Sequence, residues 1–231
     1  MAKVTLSSVN RRIFFVLEVS QAIECLRAGL ERIAEGHNVL HADSATLFLL
    51  ANGLERYLKT SFLALYHHAN GDFADGAMMR SYSHGILTVA QEVLRLESAT
   101  ARRSIQERED LVFVQNDPLL KALLVCLDSF ARRERYFLLN GVSGEMVDPE
   151  LDPRESWNKV LGEAAELVDY VDPVHAVTVV SPRLIACVQR YLRCIAQTIH
   201  GSVNRDMTAL TSEMGKFIGI RDEDLKTPIR P

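Results

Sequence analysis

The sequence predicts an all-α protein, one bundle of about six or seven helices built on a helical hairpin. Three observations predict it. Apolar residues recur at three- and four-residue steps over long stretches. Asp-Pro and Ser-Pro pairs punctuate the second half of the chain as helix-start signals. The loops between these stretches are mostly short, with no low-complexity linker and no internal repeat of solenoid period.

Residues 1–12 read as a loosely held start. Ile23, Leu26, Leu30 and Ile33 mark a helix that runs to about Glu35, with Gly36 as its stop. Ile13 to Val16 extend that helix backward in preference to forming a short strand. The organising stretch is His41 to Val89. There Leu47, Leu50, Leu54, Leu58, Phe62 and Leu65 form one apolar stripe, from Asp43 or Ser44 to about His68. Asp43 or Ser44 can accept a hydrogen bond from the first free backbone N–H groups. Asn70-Gly71 suits a left-handed stop. The opposite face carries Asn52, Glu55, Arg56, Lys59 and Thr60.

The second helix of the hairpin begins near His84, and Ile86, Val89, Val93, Leu94 and Leu96 carry it to about Ser98. Ala99 to Asp110, rich in Arg and Glu, is a solvated helix end or a surface loop. Leu111 to Val114, with two β-branched residues, reads as an extended connector. Asp117-Pro118 starts a helix, because Asp caps and proline loses nothing in the first turn. Its inner face is Leu119, Leu123, Cys126, Leu127, Phe130 and Phe137, and Asn140-Gly141 ends it. After a loop from Val142 to Leu151, Asp152-Pro153 repeats the signal. Trp157, Val160, Leu161, Ala164, Leu167 and Val168 then face inward until Asp172-Pro173 breaks the helix. Ser181-Pro182 opens a helix to His200, stopped by Gly201, and a short helix covers Arg205 to Phe217. The expected organisation is one domain, residues 1–217, and a tail, 218–231.

The chain of 231 residues is 48% hydrophobic, enough for a proper core. Its net charge of −4 argues against nonspecific coating of nucleic acid. No apolar run approaches the roughly 20 residues of a membrane span. Ile13 to Leu17 is cut by Glu18 and too short for a secretory signal, so the expected location is the cytoplasm, with no membrane partner. Cys25, Cys126, Cys187 and Cys194 form no CxxC pair and read as buried, reduced thiols. His37 and His41 are spaced as helical metal ligands, but Gly36 and Asn38 put them in a loop, so no metal is expected. No phosphate loop or nucleotide-binding glycine fingerprint occurs, and no cofactor is expected.

Arg193 and His200 are the leading candidates for chemistry. Seven helical steps return within about 20° of the same face, two turns apart. The guanidinium fork matches a phosphate, and an imidazole exchanges protons near neutral pH. RNA supplies its own nucleophile, the 2′-hydroxyl, so such a pair needs no metal. Arg190, Arg80 and His84 are candidates for substrate binding around it. The bland alternative is that Arg190 and Arg193 solvate the helix and His200 favours its negative end.

The runs LLANGLERYLKTSFLAL and RSYSHGILTV, with the later RYLRCIAQTIHGSVN, resemble the HEPN superfamily of helical domains. The resemblance covers about residues 45–95 and 183–224. It implies a four-helix-bundle core with additional helices, often dimeric. Many such proteins are metal-independent endoribonucleases of stress-response, toxin–antitoxin or phage-defence systems. Their signature is an arginine followed, after a short spacer, by a histidine. Arg193 and His200, with six residues between them, stand at the long end of that spacing. Cys194 departs from the polar residue usual after the arginine, and Arg80 and His84 lie too close together. The implied partners are RNA, a second copy of the chain and an antitoxin-like protein. The alternatives are a non-catalytic interaction or oligomerisation module and a nucleotide-binding pocket between helices.

Overall fold

The structure is a computed structural model and describes residues 8–37, 43–97, 104–134, 137–143, 148, 152–165, 173–203 and 205–229. Among the described residues every regular element is helical. The long helices are α1 (Ser8–Ala34), α2 (Ser44–Asn70) and α9 (Pro173–Ser202). Short α3 (Gly76–Ser81) leads into α4 (Ile86–Glu97), followed by α5 (Ile105–Asn116) and α6 (Pro118–Arg132). Then come α7 (Phe137–Val142), α8 (Pro153–Ala164), α10 (Arg205–Leu210) and α11 (Gly215–Ile218), the last preceded by a 3₁₀ turn, Ser212–Met214. The structure has more helical segments than expected, because α3 and α5 form where a loop and a connector were foreseen and the two expected helices 117–140 and 205–217 are each interrupted.

Local chemistry accounts for the helix ends. Asp43 caps α2 by accepting from the N–H groups of Ala45 and Thr46, and Gly71 ends it at φ 79° with its N–H on the carbonyl of His67. Asp117 caps α6 and Asp152 caps α8, each followed by proline in the first turn.

The expected stripe of α2 is buried throughout: Leu47, Leu50, Leu54, Leu58, Phe62 and Leu65 all lie in the core. Its main partner is α1 rather than the helix that follows it. Two glycines let these backbones approach. A methyl group on Gly53 would lie 2.8 Å from the backbone nitrogen of Leu26, and one on Gly29 would lie 2.7 Å from Leu50 Cδ2. The more enclosed helix is α9. From Leu184 to Ile199 it buries nearly every side chain, as a helix surrounded on all sides must. Tyr57 ties α2 to it by donating to the carbonyl of Leu192 at 3.2 Å.

Ile13 to Val16 lie within α1, as the helical alternative requires. Three expectations are corrected. Leu111 to Val114 lie within α5, which a Ser104–Glu107 capping box starts, so they are no extended connector. The helix begun at Asp117 stops at Arg132, well before Asn140. Pro182 lies inside α9 instead of opening it. There Ser181 donates to the carbonyl of Ile33 at 2.8 Å, which docks the proline turn on α1.

The tail carries no regular element over residues 219–229, yet it is held by specific hydrogen bonds. Gln189, buried on α9, donates to the carbonyls of Leu225 and Thr227 and accepts from the N–H of Ile229. Residues 219–229 are therefore strapped onto the bundle. Leu167, Val168 and His41 lie outside the described residues. Cys126, Cys187 and Cys194 are buried free thiols and Cys25 is half-buried; burial pushes the Cys126 and Cys187 thiols up. No described helix is long and apolar enough to cross a membrane.

Candidate functional site

The polar face of α2 is the wall of a cleft rather than open surface. Phe48, Asn52, Glu55, Arg56 and Lys59 follow one another at helical spacing. Glu18 of α1, His84 before α4, and Phe130 and Ala131 of α6 complete a cleft of about 460 Å³. That volume lies in the range of small-ligand sites.

At its centre is a hydrogen-bonded group from two elements. Glu55, largely buried, holds His84 Nδ1 at 3.1 Å through one carboxylate oxygen and Lys59 Nζ at 2.7 Å through the other. A carboxylate at Nδ1 selects the tautomer that carries its proton there. The His84 side chain is 45% exposed. Lys59 also donates to the carbonyl of Ser83. Ser83 sits at φ 45°, a left-handed conformation uncommon for a residue with a side chain. At the mouth Arg56 forms a fork on Glu18, at 2.6 and 2.9 Å, and reaches Gln21 at 2.7 Å. That pairing, outweighing the cost of partial burial, raises the Arg56 guanidinium pKa. Phe48 stands half exposed at the far end of the α2 face.

The leading pair of the sequence has a different geometry. The Arg193 side chain is 1% exposed. Its Nε and Nη2 meet the two oxygens of Asp110 at 2.7 and 2.8 Å, Nη2 also meets Asp222 at 2.7 Å, and Nη1 donates to the carbonyl of Ile220 at 2.8 Å. The expectation that Arg193 faces a phosphate is therefore corrected: its fork is filled by carboxylates and backbone. Burial acts to lower its pKa, but the Asp110 and Asp222 carboxylates outweigh it and raise the value.

His200, two turns on, packs against Gly215 of α11, and its Nε2 is shielded from solvent with no hydrogen-bond partner among the described residues. The two side chains do not share an open groove. Arg190 belongs to a third place. It pairs with Asp110 at 2.8 Å and lies over the Phe113 ring, 4.6 Å from its centre, beside a shallow groove between α5 and α9. Arg80 is exposed on α3, folded over Gly76, and does not line the cleft of His84. Of the five candidates, His84 alone lines the α2 cleft.

Glu55 and Lys59 are the members of this group that sequence reasoning left as plain surface. The signal was the i, i+4 carboxylate–ammonium pair, which on most helices only solvates a face. Among the described residues no group of three or more His, Cys, Asp or Glu is placed to hold a metal ion. No protein-family model, no curated protein and no solved structure matches the chain.

Proposed function

We propose that this chain is an RNA-directed helical protein that works through the α2 cleft, with His84 as its proton-transfer group. The single observation that carries the proposal is the half-exposed His84, oriented by the buried carboxylate of Glu55 inside a cleft of nucleotide size. Oriented imidazoles of this kind serve as general bases and acids. On RNA the ring would take the 2′-hydroxyl proton. The 2′-oxygen would then bond to the adjacent phosphorus as the bond to the 5′-oxygen breaks, and that oxygen would take a proton from water. Phe48 offers a face on which a base can stack.

Arg56 and Lys59 are already matched by Glu18 and Glu55. Phosphate contacts therefore contribute little, and binding should depend weakly on salt. The HEPN resemblance does not carry this reading: its arginine–histidine signature is not met at His84, because Arg80 lies too close in sequence and outside the cleft.

The experiment is incubation of the full chain with single-stranded and transfer RNA in EDTA, wild type against His84→Ala and His84→Gln. Cleavage by the wild type and its loss in both variants supports the proposal. Binding that persists without cleavage reduces it to an RNA-binding role.

A second reading, a non-catalytic interaction or oligomerisation module, is favoured by one observation. Val9, Ile13, Phe14 and Leu17 are more than half exposed on α1. It predicts a stable oligomer by sedimentation and no RNA cleavage at any protein concentration.

A further inference from the structure

We propose that Lys59 is a positioning residue for His84 and not a cation offered to a ligand. The inference goes beyond the functional reading, because it concerns how the ring is held whatever the cleft accepts.

The ammonium of Lys59 lies between two acceptors, the Glu55 carboxylate at 2.7 Å and the Ser83 carbonyl. The second contact is the informative one. The Ser83 carbonyl belongs to the peptide that leads into His84, so anchoring it fixes the plane from which the His84 side chain departs. Ser83 itself is in the left-handed region, which a residue with a Cβ adopts only when its surroundings require it. Lys59 is the side chain seen to grip that residue's backbone from across the cleft.

Glu55 and Lys59 are one turn apart on α2 and act on neighbouring residues, His84 and Ser83. Glu55 holds the ring at Nδ1, and Lys59 holds the backbone that carries it. The turn is closed from the other side as well. The N–H of Ser83 donates to the carbonyl of Arg80 at 2.9 Å, and that of Gly85 to the carbonyl of Tyr82 at 2.8 Å. A methyl group on Gly85 would collide with the Arg132 guanidinium. Lys59 is thus committed to two internal acceptors, with its side chain only 21% exposed.

The test is nitrogen-detected NMR of the full chain, reading the Lys59 ammonium and the two ring nitrogens of His84. The wild type is expected to show a slowly exchanging Lys59 ammonium signal and His84 protonated mainly at Nδ1. Lys59→Arg should keep that tautomer. Lys59→Met should shift the ratio several-fold toward the Nε2–H form that a free imidazole prefers.

An unchanged tautomer ratio in folded Lys59→Met overturns the proposal. So does a wild-type Lys59 ammonium that exchanges as fast as the surface lysines. Should Lys59→Met fail to fold, the wild-type ammonium signal and the Lys59→Arg spectrum decide. None of these readings depends on RNA, so a failure of the RNA assignment leaves them interpretable.

Discussion

Arg193 and Asp110 face each other through two parallel hydrogen bonds, 2.7 and 2.8 Å long, across the contact between α9 and α5. Asp110 is fully buried and also takes Arg190 at 2.8 Å. One carboxylate thus serves two guanidinium groups. Removing it would leave the buried Arg193 with only the mostly exposed Asp222 as a charged partner; loss of a buried partner typically costs up to about 3–5 kcal/mol. Asp110→Asn should lower stability by that order in urea denaturation. Asp222→Asn should cost under about 1 kcal/mol, because Asp222 is mostly exposed. Equal effects would contradict the assignment of Asp110 as the principal partner.

The approach of α1 to α2 depends on Gly53. Alanine there gains up to about 1 kcal/mol of helix propensity but forces backbone apart at a 2.8 Å contact. Overpacking of this kind typically costs about 1–3 kcal/mol. Gly53→Ala should therefore be net destabilising, while Gly162→Ala, with open space around it, should be neutral or slightly stabilising. Thermal melts of the two variants make the comparison.

Asp43 sets a pH dependence. Burial acts to raise its pKa, but hydrogen bonds from Thr46, Arg32 and the Ala45 backbone lower it to about 2. A group lowered on folding stabilises the fold above its unfolded value and loses that stabilisation as pH falls through the folded one. The window therefore runs from about pH 4 down to about pH 2. The contribution is about 1–2 kcal/mol after allowing for solvent screening of a partly exposed pair. Wild type minus Asp43→Ala stability should shrink across that window. A difference independent of pH would contradict the lowered Asp43 carboxylate.

Much of the bundle was legible because its signals are local. The α2 stripe from Leu47 to Leu65, the Asp117 and Asp152 caps and the Gly71 stop each follow from periodicity or cap chemistry. One local signal was passed over: the Ser104–Glu107 capping box starts the helix that contains Leu111 to Val114. The rest of what escaped depends on partners distant in sequence. Pro182 stayed inside α9 because the turn docks on the carbonyl of Ile33. The tail became ordered through Gln189, which sequence periodicity cannot mark as a strap anchor.

The site divided the same way. Spacing put Arg193 and His200 on one helix face, but spacing carries no information about the carboxylates that fill the guanidinium. His84 was recognisable as a candidate. Its partner Glu55, 29 residues earlier, was not.

The central claim is that the cleft around His84, and not the Arg193 cluster, is where this protein meets its ligand. The most direct measurement is titration of isotope-labelled full chain with a short single-stranded RNA, following amide and side-chain shifts of every residue. The account predicts perturbations concentrated at Phe48, Glu55 and His84, lost in His84→Ala and little changed between low and moderate salt. Shifts that cluster instead at Arg190, Arg193 and His200, or no shifts at saturating RNA, would contradict it.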